Sequence, residues 1–305
     1  METQIENFDL SISPQEDFNL FVNGTWLKKN KIPSKYNRWG TFEVLHEENL
    51  QKIKTLVESS NGYYKKLRIL YSAAINEDKL NLEKEEPIKK YIQMIESCIN
   101  KEELWICLSQ LYVKGLVSIF GFFPEEDAKN SELVVPYIGT GGLGLPDRDY
   151  YFDEDKKEIR KKYKKYLADL FRLYYKNNNS YHDIVKQIYK LEEHLAEKTY
   201  TAVEKRDPEK NYHKMTLYDL NYNYKLNWNE YFDVLTKNKN IKYVIVDNPG
   251  FYGRLKELWD SLSLNTWKNY FKIKLLRSAS SYLSDDYINL KFDFYNKTLS
   301  GQQEL

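Results

Sequence analysis

Two stretches of the chain come close to holding a metal ion. Residues 46–50 read "HEENL" and residues 194–198 read "HLAEK". A zinc-binding helix of the H-E-x-x-H type needs two imidazoles one turn apart, with the intervening Glu activating a metal-bound water. Leu50 stands where the second imidazole belongs, and in the inverted pattern Lys198 does. The four histidines, His46, His182, His194 and His213, include no H-x-x-x-H pair. Both stretches are therefore expected to be structural, and no zinc is expected to bind this chain. A third stretch, "GTGGLG" at 139–144, matches G-x-G-x-x-G, which delivers a pyrophosphate to the N-terminus of an immediately following helix. Here Leu145, Pro146, Asp147 and Arg148 come next, without a βαβ pattern, so a tight packing turn is expected.

The elements that must position these residues read as helices. From Asp155 to Lys176, Ile159, Tyr163, Tyr166, Leu167, Leu170, Phe171, Tyr174 and Tyr175 recur at helical spacing. The run "KKEIRKKYKKY" at 156–166 is the charged face of that helix, with Asp155, Glu158 and Asp169 interleaved, rather than an RNA- or membrane-binding patch. After "NNNS", Ser180 is placed to cap a second helix carrying Ile184, Ile188, Leu191 and Leu195, making a helical hairpin. "VDNPGFYGRLKELWDSL" puts Pro249 in a first turn, and another helix follows from about Asn265. Strand signals are short, at 133–138 and 243–246, and loops are expected at 124–131 and 139–149. The predicted class is mainly α with a few short β-strands, and no linker or repeat divides residues 1–305.

Composition narrows the function classes. Lys and Arg number 46 against 45 Asp and Glu, so there is no global field for nucleic acid or anionic membranes, and neither is expected as a partner. The longest apolar stretch, "LVSIFGFF" at 116–123, is far short of the roughly 20 residues that cross a bilayer. Cys98 and Cys107 read as lying on one continuous helix, roughly 13 Å apart and too distant for a disulfide. With no signal-like start, a cytoplasmic setting is expected.

Three ordered blocks carry a resemblance. "SPQEDFNLFVNGTWLKKNKIPSKYNRWGTFEVL", "GGLGLPDRDYY" and the stretch from "VDNPGFYGRLKELWDSL" to "SGQQEL" resemble the neprilysin-like zinc metallopeptidases, which include the endothelin-converting enzymes and bacterial oligopeptidase O. The resemblance implies the N-terminal, multi-helix lid of a two-domain metalloendopeptidase. Zinc and its ligands would lie in a C-terminal catalytic domain that this chain does not include. Short peptides would be the substrates, and that domain the partner. It further implies that Arg38 faces a substrate chamber and holds a peptide's C-terminal carboxylate, for which a planar guanidinium suits two parallel hydrogen bonds. Phe42 and Glu43 match neighbouring chamber positions. His46 stands where relatives commonly carry a second Arg, which weakens one positive charge at neutral pH. The alternative is a stand-alone, non-catalytic peptide- or protein-binding module.

Overall fold

The structure, a computed structural model, describes residues 5–59, 64–237 and 241–305. It is mainly α, as the periodicity predicts, and divides into two compact units, Met1–Asn76 with Tyr295–Leu305, and Glu77–Phe294.

The first unit carries α1 (Phe18–Lys29), α2 (Thr41–Ser59) and α3 (Lys65–Ala74). Asp17 starts α1 by accepting from the Leu20 N–H at 2.9 Å, satisfying one of the amides a helix N-terminus leaves open. Gly24 is buried against Asp9, where a Cβ would come within 2.6 Å of the Asp9 Cβ. Among the described residues of this unit no hydrophobic side chain is buried. Leu45, Ile53 and Leu56 on α2 and Leu67, Ile69 and Leu70 on α3 are all more than half exposed. Helices α2 and α3 touch one another in this unit yet leave these apolar side chains largely in solvent.

The second unit opens with α4 (Glu77–Glu83), α5 (Glu86–Ser97) and α6 (Lys101–Val113), then a hairpin of β1 (Phe120–Asp127) and β2 (Asn130–Thr140). There follow α7 (Asp149–Phe152), α8 (Lys157–Tyr175), α9 (His182–Glu197), β3 (His213–Thr216), α10 (Leu217–Tyr224) and α11 (Trp228–Thr236). The unit closes with β4 (Tyr243–Val246), α12 (Pro249–Ser261), α13 (Leu264–Ala279) and α14 (Asp285–Lys291). The strands form one mixed sheet in the order β1-β2-β4-β3. β2 runs parallel to β4 only at Tyr137 and Ile138, just past Pro136, which has no N–H to give the ladder. Pro136 also faces Pro124 across the hairpin.

Aromatic rings fill the core beside the sheet. Trp105 lies 4.7 Å from Tyr231 and 5.4 Å from Trp228, and Phe120 lies 5.2 and 5.3 Å from the same two rings. The Trp105 indole N–H donates to the Asn227 carbonyl at 3.0 Å, so its polar edge is satisfied. Helix α13 is buried on nearly every face, including Lys272 and Lys274, and packs on α5, α8 and α9; it is the central post of the unit.

Three expectations from the sequence are corrected, and one strand is added. The segment 124–131 is a hairpin rather than a loop, because β1 continues through Pro124, Glu125 and Glu126 as an exposed edge whose polarity hides the strand. Tyr181, in the left-handed region at φ 50°, and not Ser180, precedes α9. Strand β3 had no forecast; it is four residues long and runs straight into a Thr216–Asp219 capping box. The expected continuous helix through Cys98 and Cys107 breaks at 98–100, where Asn100 caps α6 by accepting from the Glu103 N–H at 2.7 Å. The chain doubles back there, and the two thiols interact side by side, both buried and free.

Candidate functional site

The residues singled out from the sequence lie in the first unit, on the loop before α2 and on its first turns. Glu43 sits in the opening turn of α2, where a carboxylate complements the helix dipole. It pairs with Arg38 at 2.6 Å through the guanidinium Nε. The Arg38 side chain is 82% exposed while that of Glu43 is 16% exposed, so the carboxylate is the fixed partner and the guanidinium the reaching one. Phe42 and His46, one turn apart on α2, are both exposed, Phe42 by 84%. Arg38 and Glu43 are thus brought together, whereas Phe42 and His46 project from α2 as exposed side chains.

The Glu of "HEENL" has a different employment from the one its motif suggests. The Glu47 carboxylate accepts from Lys35 Nζ at 2.8 Å, from the Tyr36 hydroxyl at 2.5 Å and from Gln51 Nε2 at 3.0 Å. The Lys35 and Tyr36 hydrogen bonds hold its pKa down at about 2, so it is a poor proton acceptor for a water molecule. It ties the loop 35–36 to α2, and the Tyr36 ring in turn rests 4.8 Å from Trp39. This places the backbone on both sides of Arg38. On the same loop the Ser34 carbonyl accepts from the N–H groups of Gln303 and Glu304. These tethers were invisible to a search for periodic motifs; a Lys-Tyr pair preceding a helix whose second turn carries Glu is their only trace.

In the second unit the other near-motif is similarly spent. Glu197 pairs with His194 at 3.2 Å and with Arg254 at 3.3 Å. Among the described residues no three His, Cys, Asp or Glu side chains converge as a metal-binding group. Neither near-motif supplies the ligand set that zinc takes, since Leu50 and Lys198 stand where imidazoles belong.

The glycine-rich stretch is a packing device. Gly144 and Leu145 N–H groups donate to the Tyr151 hydroxyl at 3.0 and 3.2 Å, and the Gly142 carbonyl accepts from Tyr270 at 2.6 Å. The amides that would face a pyrophosphate are therefore used within the fold. The Tyr151 hydroxyl in turn donates to Glu192 Oε2 at 2.9 Å, and Tyr163 donates to both Glu192 oxygens. Arg277 reaches the Tyr163 hydroxyl and the Leu143 carbonyl, each at 3.3 Å, and lies 4.0 Å from Glu192. Burial raises the Glu192 pKa despite Arg277 nearby, and burial lowers that of Lys274 to about 7. This cluster, which sequence reading missed because its members are far apart in the chain, locks the 142–145 turn onto α8, α9 and α13.

Comparison with known proteins gives a consistent result. The family model described as peptidase family M13 matches residues 14–305. Mouse (Mus musculus) membrane metallo-endopeptidase-like 1 is 25% identical, aligning over 97% of this chain and 43% of its own length. Bovine (Bos taurus) endothelin-converting enzyme 1 is 28% identical over 92% of this chain and 39% of its own. Among solved structures, the Mycobacterium tuberculosis zinc metalloprotease Zmp1 in complex with an inhibitor superposes with a TM-score of 0.93, at 24% identity, over 100% of this chain and 48% of that one. PepO from Lactobacillus rhamnosis superposes at 0.81 and 17% identity, over 96% of this chain and 48% of that one. The chain spans less than half the length of each of these relatives.

Proposed function

This chain belongs to peptidase family M13, and we propose that it is the N-terminal, substrate-enclosing portion of a zinc metalloendopeptidase acting on short peptides. The observation that carries this reading is the unbroken family match over residues 14–305 in a chain that covers 39–48% of its relatives. Both zinc-like stretches lack the second imidazole, so the metal and the hydrolytic step belong, in this reading, to polypeptide that the relatives possess beyond the matched portion. The bare apolar stripes of α2 and α3 support it, since such surface is costly in water and would be covered by that polypeptide.

Within this reading Arg38 receives the C-terminal carboxylate of the peptide. Glu43 holds the guanidinium by Nε, which orients the two terminal nitrogens toward an incoming carboxylate as a pre-set fork. An exposed ion pair contributes little in water, so Arg38 gains strength as a carboxylate clamp only once the site is enclosed and its dielectric falls. Phe42 supplies apolar contact to the peptide, and His46 one turn on adds polar contact.

The test is hydrolysis of one peptide in its free-acid and C-terminal amide forms by the protein purified from its native source, with and without a zinc chelator. Chelator-sensitive cleavage, with Arg38→Ala raising KM for the free acid about tenfold or more while leaving the amide unchanged, is the expected result. Absence of chelator-sensitive cleavage removes the peptidase reading. Cleavage with an Arg38→Ala variant that treats both peptides as before removes only the role of Arg38.

A further inference from the structure

Helices α8 and α9 leave between them a groove of about 570 Å³ that none of the assignments above uses. Its floor is apolar, made by Ala168, Val185 and Tyr189, all buried. Its rim is cationic: five Lys and Arg side chains line it against a single acid, Glu193. In a chain of net charge +1 this is a local concentration of positive charge rather than a share of a general excess.

Two of the five cations are already committed. Lys165 and Arg172 each meet Asp169 at 2.6 Å, and Arg172 also closes the α8–α9 turn on the Asn179 and Ser180 carbonyls. The other three are not so compensated. Lys164 holds its ammonium 3.9 Å above the Tyr189 ring, and burial lowers its pKa in spite of Glu193. Lys186 and Lys190 stand one turn apart on α9 and pair with no acid among the described residues. Like charges at that spacing weaken a helix, so the fold gains nothing from the pair by itself.

We propose that this groove binds an acidic peptide segment in extended conformation, with an apolar side chain seated on Ala168, Val185 and Tyr189 and flanking carboxylates on Lys164, Lys186 and Lys190. In an extended peptide alternate side chains share a face roughly 7 Å apart, close to the 5–6 Å separation of residues one turn apart on a helix. Alternation sends the intervening side chain the other way, down to the floor. The volume lies within the range of clefts that take small ligands, and the apolar floor favours a peptide side chain over the phosphates of a polynucleotide. The proposal is independent of the peptidase reading and concerns the second unit alone.

The experiment is fluorescence anisotropy on the full 305-residue chain at low ionic strength, where exposed charges are least screened. The probes are a labelled hexapeptide alternating Glu and Leu, the same peptide with Gln for Glu, the same with Gly for Leu, and an oligouridylate of equal charge. Saturable binding of the Glu-Leu peptide, weakened about tenfold or more in the Gln and Gly peptides and by the double substitution Lys186→Glu with Lys190→Glu, is expected. Both lysines are exposed, so thermal melts of parent and variant should coincide. Absence of saturable binding, equal binding of the Gln or Gly peptide, indifference to charge reversal, or tighter binding of the oligouridylate each overturns the proposal.

Discussion

The Tyr163 hydroxyl on α8 donates to both carboxylate oxygens of Glu192 on α9, at 3.0 and 2.9 Å, in a place from which water is excluded. Tyr151 and Arg277 converge on the same carboxylate. Removing the shared acceptor breaks a buried hydrogen-bond network to which the Arg277 guanidinium also contributes, and such losses cost about 3–5 kcal/mol. Glu192→Ala should therefore lower stability by that amount in urea denaturation. Glu192→Gln, which keeps an acceptor oxygen, should cost less. Equal stability of Glu192→Ala and the parent would show that the cluster is not holding the fold.

The turn beside this cluster tolerates no side chain. A Cβ on Gly144 would overlap both the Tyr163 hydroxyl and Arg277 Nη1, so both must shift from their places around the carboxylate. Gly144→Ala is expected to lose about 3 kcal/mol or more, within the range of a broken buried network. Gly253→Ala, where nothing lies within 4 Å of the new methyl, serves as the control and should be neutral or slightly stabilising through helix propensity. Paired thermal melts of the two variants decide it.

Acid should undo the loop that carries Arg38. The Glu47 pKa is lowered from 4.5 to about 2 by its hydrogen bonds to Lys35, Tyr36 and Gln51. A depressed folded-state pKa means that the unfolded chain binds the proton first. The contribution is then complete above about pH 4.5 and is lost as pH falls toward 2. Glu47→Gln should be less stable than the parent at neutral pH, with the gap closing across that window. Parallel stability curves of the two proteins from pH 7 to 2 would contradict the assignment.

The cysteines provide a probe of the second unit. Burial pushes the Cys107 pKa up to about 12 and raises that of Cys98 as well. Since the thiolate is the reactive form, Cys107 presents roughly a thousandfold fewer thiolates than an ordinary cysteine. A chromogenic disulfide reagent at pH 8 should label the native chain very slowly and both thiols promptly in denaturant. Prompt labelling of the native chain would mean that the α5–α6 turn opens readily.

The long helices were legible from sequence because their burial is one-sided or complete and therefore periodic. Tyr163, Tyr166, Leu167, Leu170 and Phe171 trace the buried stripe of α8, and Pro249 after the Asn248 cap marks the start of α12. The outer half of β1 was not legible, since an exposed edge carrying Pro124, Glu125 and Glu126 has neither alternation nor apolar content. The break between α5 and α6 did leave a signal. Asn100 followed three residues later by Glu103 is a helix-start pattern, and Glu103 reaches back to the Ile99 N–H at 2.9 Å. Of the candidate site, the position of Glu43 in the first turn of α2 was readable. Its pairing with Arg38 was not, because the partner lies outside the helix, where spacing carries no geometric meaning. Long-range clusters such as Tyr151, Tyr163, Glu192 and Arg277 are set by how helices meet, and no local pattern records that.

The hairpin prolines bear on how copies of this protein behave at high concentration. β1 is the outermost strand of its sheet, and a bare strand edge is a template on which a neighbouring molecule can lay its own backbone. Along that edge Pro124 withholds a donor, and Glu125 and Glu126 present two negative charges to any identical strand aligned beside it. The sheet is thereby capped against growth from molecule to molecule, and Pro124→Thr with Glu125→Val and Glu126→Thr would turn the same eight residues into a nucleus for fibrils.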